Sequence, residues 1–256
     1  MRPRLSRLVA LAVPLAGCLF ALPAASAQIL NESAKLLASD GAAEDWFGYS
    51  VALDGDTAVV GSRFDDDNGE ASGSAFVYVR SGGVWTEQAK LTASDGAAFD
   101  EFGISVAIDG DTAVVGAWEA GDTPIFGADN GWAYVFVRVG GVWTEQAKLI
   151  ASDAEINENF GISVAVSGDT VVVGSWHDDD ACPSDIFCRS GSAYVFTRSG
   201  AVWTQQAKLT ASDAAAGDQF GVSVAVDVDT AVVRALPCSS CAGTGSAYVF
   251  TRSGGV

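Results

Sequence analysis

From Phe102 onward large and small side chains alternate. Phe102, Ile104, Val106 and Ile108 are bulky, and Gly103, Ser105 and Ala107 between them are small. The same split recurs at Phe47, Tyr49 and Val51 against Gly48, Ser50 and Ala52, and again at Phe160, Ile162 and Val164 against Gly161, Ser163 and Ala165. A period of two predicts a strand, here with one bulky face and one thin face. Two apolar faces of unequal bulk suit a sheet covered on both sides, its large side chains entering the space that the next sheet leaves. Each segment runs into "DGDT", "SGDT" or "DVDT", a tight hairpin turn, and then into a second strand of the type "TAVVG". A third strand follows a variable loop: "GSAFVYVR" at 73–80, "GWAYVFVR" at 131–138, and "GSAYVFTR" at 191–198 and 245–252. The more polar "VWTEQAKL" at 84–91 and 142–149, and "VWTQQAKL" at 202–209, predict an outer, half-exposed fourth strand.

The unit is written four times, starting near residues 47, 102, 160 and 220. Four antiparallel strands at this period are the arithmetic of a β-propeller blade. The expected fold class is therefore all-β, with four blades visible, either a closed four-bladed ring or a piece of a longer propeller. Residues 29–37, "ILNESAKLL", align with the fourth strand and are a candidate closing strand for the last blade. That blade is eroded, with Val228 where the hairpin turn wants glycine and Arg234 in place of Gly61, Gly116 and Gly174. It is expected to be the least stable.

The phenylalanine-glycine start, the "VVGS" or "VVGA" end of strand two and the "GSAYVF" strand resemble FG-GAP repeats, the blades of integrin-α-type propellers and of many secreted bacterial proteins. The resemblance covers essentially all of residues 29–256 and implies a propeller that binds a ligand through its upper face. Two departures matter. Many such repeats carry an aspartate-rich calcium loop between strands one and two, and the short turns here lack the length to wrap an ion. The proline that usually follows the glycine-alanine pair is replaced by Arg63, Trp118, Trp176 and Leu236.

Composition sharpens the picture at the amino terminus. Arg2, Arg4 and Arg7 precede an apolar run from Leu8 to Leu22 and then "ASA" at 25–27, which reads as a secretory signal over residues 1–27, cleaved after Ala27, with the propeller occupying 28–256. The alternative is a lipoprotein acylated at Cys18 of "LAGC". No other stretch is long enough to span a membrane, so the expected location is secreted, periplasmic or on the cell surface. Removing the leader takes away three arginines and lowers the formal charge from −18 to −21, which argues against nucleic acid as a partner. With Cys18 gone, Cys182, Cys188, Cys238 and Cys241 remain. An even count in an exported chain implies disulfides, within each loop or between blades three and four, zinc being the alternative.

Candidate chemistry gathers on one side. In a four-stranded meander the turns joining strands one to two and three to four share one face, and the longer connections share the other. All the variety lies on that second face. Asp65, Asp66, Asp67, Asp178, Asp179 and Asp180 are candidate calcium ligands, or else solvated acidic loops. Trp118 and Trp176, at equivalent positions in successive blades and with His177 beside the second, are a candidate stacking platform for a protein or carbohydrate ligand. Asp45, Asp100, Glu158 and Asp218 recur two residues before each phenylalanine, which points to turn formation by carboxylates that accept backbone N–H groups. The expected function is a non-enzymatic binding or adhesion module, the alternative being a secreted hydrolase or lyase on the same scaffold.

Overall fold

Every alternating segment forms a strand, and every expected unit forms one sheet. The computed structural model describes residues 31–121, 130–181, 188–236 and 244–253. By contacts the chain divides into Met1–Ser33 and Ala34–Val256, and all the described secondary structure lies in the second unit. Blade one is β1 (Phe47–Asp54), β2 (Thr57–Ser62), β3 (Ser74–Ser81) and β4 (Val84–Leu91). Blade two is β5 (Ser105–Asp109), β6 (Thr112–Ala117), β7 (Trp132–Val139) and β8 (Val142–Leu149). Blade three is β9 (Phe160–Ser167), β10 (Thr170–Ser175), β11 (Ser192–Ser199) and β12 (Val202–Leu209). Blade four has β13 (Ser223–Asp227), β14 (Thr230–Ala235) and β15 (Ser246–Thr251). Each sheet is an antiparallel meander in chain order, three of four strands and the last of three.

The core lies between sheets, thin face against bulky face. Val59, Ala75 and Val77 of blade one share a buried cluster with Phe102, Val115 and Phe136 of blade two. Val114, Ala133 and Val135 share one with Phe160, Val173 and Phe196, and Val172 and Ala193 share one with Phe220 and Val233. At the tightest point a Cβ on Gly61, Gly116 or Gly174 would overlap the carbonyl oxygen of Gly103, Gly161 or Gly221 in the next blade. The same three carbonyls accept hydroxyl hydrogen bonds from Ser50, Ser105 and Ser163, at 2.7, 2.8 and 2.7 Å. Phe102, Phe160 and Phe220 each donate a backbone N–H to the preceding blade, at the carbonyls of Ser72, Asn130 and Ser190. The phenylalanine-glycine pair is therefore the joint between blades.

Packing runs from β1 to β5, β9 and β13 in order, and among the described residues no comparable packing returns from the fourth blade to the first. Both ends of the series show apolar side chains to solvent. Tyr49, Val51 and Leu53 are exposed on blade one, and Val232 and Val249 on blade four. The aligned candidate closing strand is not placed on blade four. Residues 34–37 make no strand pairing, and Leu36 and Ala38 pack on Ala58, Val60, Phe76 and Tyr78 of blade one. Ser39 binds the Glu87 carboxylate through its backbone N–H and its hydroxyl, as Ser94 binds Glu145 one blade later. The repeat contacts themselves hold this segment on blade one. Residues 29 and 30 lie outside the described residues.

Blade four carries a local backbone strain that the other hairpins lack. Gly55, Gly110 and Gly168 take φ of 53°, 56° and 55° in the hairpin turns, and Val228 takes 51° with a β-branched side chain. A non-glycine residue in that region costs about 1–2 kcal/mol. Replacing Val228 by glycine is expected to stabilise the protein by about 1 kcal/mol, after the greater chain entropy of glycine is subtracted. Gly116→Ala is expected to destabilise by about 2–3 kcal/mol or more through overpacking at the joint. Chemical denaturation of the two variants checks both signs, and amide exchange should be fastest in β13–β15.

Candidate functional site

The loop face is organised by carboxylates that work locally. Asp45, Asp100, Glu158 and Asp218 each accept a backbone N–H three residues back, from Ala42, Ala97, Glu155 and Ala215 at 2.5, 2.8, 3.0 and 2.8 Å. They close the loop that delivers each phenylalanine to the joint. The residue just before each phenylalanine, Trp46, Glu101, Asn159 and Gln219, is left-handed with φ between 48° and 56°. This kink falls at the same repeat position in all four blades, and four different side chains occupy it.

Four of the six aspartates expected to ligate calcium, Asp65, Asp67, Asp178 and Asp180, are placed around lysine ammonium groups. In blade one Lys90 Nζ lies 2.8 Å from Asp40, 2.9 Å from Asp65 and 2.6 Å from Asp67. In blade three Lys208 Nζ lies 2.9 Å from Asp153 and 2.7 Å from Asp178, and it also pairs with Asp180. Asp178 is fully buried and accepts the Tyr194 hydroxyl at 2.8 Å. Burial opposes charge on Lys208, but its hydrogen bonds to Asp178, Asp180 and Asp153 outweigh it and hold the ammonium above the ordinary lysine range. Asp66 accepts the Ala71 N–H, and Asp179 is half-buried. Among the described residues no group of three or more histidine, cysteine or acidic side chains is arranged to hold a metal ion. In blades one and three the lysine of the "QAKL" strand falls opposite these loops once the outer strand is paired.

Trp118 and Trp176 do meet, with ring centroids 6.0 Å apart and planes tilted by 43°. Both are half-buried, and His177 stacks on Trp176 at 4.4 Å with 9° between the planes. Burial first, and then the nearby Arg189 charge, push His177 down to about 4, so it is neutral across the physiological range. The Trp118 indole donates to Glu101 Oε2 at 2.6 Å, and Arg63 pairs with the same oxygen at 2.7 Å. Burial raises the Glu101 pKa, partly offset by the indole and by Arg63.

The residues that extend this line were not singled out from the sequence. The Arg63 guanidinium lies over Phe64 at 4.3 Å, Tyr49 at 4.7 Å, Trp46 at 5.7 Å and Trp118 at 5.8 Å. Trp46 and Tyr49 stack at 6.1 Å and are 51% and 46% exposed, so they present the most open aromatic surface of the line. Trp46 and Phe64 also line a groove of about 440 Å³ with Phe99 and Glu101. The available signal was positional: Arg63 occupies the repeat position of Trp118 and Trp176, and Trp46 that of Glu101 and Asn159. Cys188 is buried and disulfide-bonded. Cys182, Cys238 and Cys241 lie outside the described residues.

Comparison with known proteins gives one result. The family model described as the FG-GAP repeat matches the chain four times, over residues 30–78, 85–136, 143–196 and 203–250. The last three matches each begin in an outer strand and end in the third strand of the following blade, so each spans one of the joints described above. The search of curated proteins returned no match.

Two consequences of the electrostatics are measurable. Lys208→Met is expected to destabilise by roughly 3 kcal/mol, because three carboxylates lose their counter-charge and one of them is fully buried. Burial opposes ionisation of Asp153, but Lys208 holds its folded pKa below the ordinary value. Its stabilisation is therefore complete above pH ~4 and lost as pH falls through the folded value, and denaturation curves of Lys208→Met should lack that acid-side contribution. Glu158 shows the opposite sign. Burial first, and the neighbouring Asp178 charge, push it up to about 8. Its ionisation penalty grows as pH rises from the unfolded value toward 8, so Glu158→Gln should gain stability relative to the parent across that window and hold the gain above it.

Proposed function

Because the chain belongs to the FG-GAP repeat family, we propose that it is a non-enzymatic extracellular module that binds a protein or glycan through its variable-loop face. The observation that carries this reading is the aromatic line of Trp46, Tyr49, Phe64, Trp118 and Trp176 around Arg63, open to solvent at Trp46 and Tyr49 beside the groove. Indole and phenol rings offer large, stiff contact area with a polar tip, which suits stacking on a sugar ring or anchoring a protein hot spot. The scaffold beneath is rigid and repeated, and the loops on this side differ from blade to blade, which is the usual division of labour between framework and recognition.

The acidic side chains of this face serve structure rather than chemistry in this reading. The carboxylates near the joints recur in every blade and are engaged by backbone N–H groups, and Asp65, Asp67, Asp178 and Asp180 are engaged by lysine. Export through the leader over residues 1–27, with disulfide pairing of Cys182 with Cys188 and of Cys238 with Cys241, belongs to the same proposal. Among the described residues no helix is long and apolar enough to cross a membrane.

The test is binding of the exported protein to arrays of immobilised glycans and extracellular proteins. Trp46→Ala and Trp118→Ala should each weaken a captured ligand about tenfold or more, equivalent to about 1.4 kcal/mol, while Val228→Gly leaves it unchanged. His177 should contribute no pH dependence to the affinity from pH 5 to 8, because it stays neutral there. Binding that survives both tryptophan replacements would remove the aromatic line from the interface. Millimolar calcium should leave the melting temperature unchanged, because lysine already holds these aspartates.

A further inference from the structure

At the joint between blades one and two the loop face opens into a groove of about 440 Å³, lined entirely by residues between 43 and 101. The volume falls within the roughly 300–1,000 Å³ of small-ligand sites. Its apolar walls are the rings of Trp46, Phe64 and Phe99, and its polar lining is wholly acidic, from Glu44, Asp66, Glu70 and Glu101. Trp46 and Phe64 meet at a corner, with centroids 4.9 Å apart and planes at 61°. Phe99 adds a third wall from the loop that enters blade two. It is held left-handed at φ 72°, where the matching positions of later blades hold Asn157 and Gly217. Asparagine and glycine enter this region readily and a bulky ring does not, so the aromatic side chain stands there at a conformational cost.

The chain itself shows how these groups treat a cation. The Arg63 guanidinium lies 4.3 Å from the Phe64 ring and 5.7 Å from Trp46, and it pairs with Glu101 at 2.7 Å. Glu101 is 5% exposed, and burial raises its pKa although Trp118 and Arg63 oppose the shift. Its charge is therefore only partly compensated. Among the described residues Glu44, Asp66 and Glu70 form no ion pair, whereas Asp65 and Asp67 on either side of Asp66 are gathered on Lys90. The groove thus joins aromatic walls to a net negative lining, a combination that selects positive charge.

We infer that this groove is a binding site for a small quaternary ammonium compound of net positive charge, its methylated head seated among Trp46, Phe64 and Phe99 and its charge balanced by Glu44, Glu70 and Glu101. This goes beyond the reading above, which concerns a protein or glycan along the whole aromatic line. The shape of the head favours this class. A rounded trimethylammonium group touches two rings set at 61° to each other, whereas a planar guanidinium stacks on one ring at a time. It has no N–H groups to satisfy and holds water weakly, so it enters an aromatic groove at less desolvation cost than a lysine ammonium. The acidic lining sets the second limit, because a zwitterion would bring its own anionic group against the same carboxylates.

The test is calorimetric titration of residues 28–256 with choline chloride at low ionic strength. One choline should bind per chain, and about 0.5 M sodium chloride should weaken it several-fold. The uncharged carbon isostere of choline, the zwitterion betaine and ethylguanidinium should each bind about tenfold more weakly or worse. Phe99→Ala, which removes one wall, should lower the affinity about tenfold, as should Glu44→Gln combined with Glu70→Gln. The paired glutamine variant changes only exposed side chains and keeps the result independent of folding. Absence of saturable choline binding, or equal binding of the isostere, overturns the site. Equal binding of betaine or ethylguanidinium overturns the ligand class. No choline binding, with a captured loop-face ligand that is lost in Trp118→Ala, overturns this inference alone. Saturable choline binding with no protein or glycan captured leaves it standing and overturns the earlier reading alone.

Discussion

The whole structure depends on how closely one blade's second strand can approach the next blade's phenylalanine-glycine start. Gly61, Gly116 and Gly174 leave no room for a Cβ because a carbonyl oxygen of the neighbouring blade occupies that space. The close approach lets Phe102, Phe160 and Phe220 be buried to 1%, 0% and 0% exposure, and lets their backbone N–H groups reach across to the preceding blade. A serine hydroxyl satisfies the carbonyl that the approach brings in. Sterics, burial and hydrogen bonding therefore meet at one point that recurs three times. Arg234 stands at the fourth such position, where the other blades have glycine, and it is exposed.

Around that joint the charged residues form a second repeated layer. On one side, arginine is pinned by aspartate and bridges to a threonine of the preceding blade, with the indole of its own outer strand against its face where that strand is present. On the other, the lysine of the outer strand gathers aspartates from two loops. For a chain with 32 acidic and 14 basic residues, such concentration matters. Lys90 and Lys208 are placed where several carboxylates would otherwise repel one another, most clearly at buried Asp178. The surplus of negative charge remains on the loops and turns, where solvent screens it.

The aromatic line arises where the repeats differ. The position after the second strand holds Arg63, Trp118, Trp176 and Leu236, and the kinked position before each phenylalanine holds Trp46, Glu101, Asn159 and Gln219. The scaffold dictates where these side chains emerge and leaves their identity open. That is why neighbouring blades can combine an arginine, a carboxylate and two indoles into a single connected surface.

The strands, their order within each blade and the thin and bulky faces were all legible in the sequence. Period-two alternation and a repeated turn are local properties that each segment carries with it. The recurring acids before each phenylalanine were legible as turn formers for the same reason. Tertiary structure alone decided the partners of the loop aspartates, because Lys90 and Lys208 lie 25 and 28 residues from Asp65 and Asp180 along the chain and reach them only once the outer strand is paired. It also decided that residues 34–38 lie on blade one, and that the most open rings belong to Trp46 and Tyr49 rather than to Trp118 and Trp176. Exposure depends on which neighbour covers a face. A chain pattern shows that a side chain is apolar, and only the assembled sheets determine whether anything packs against it.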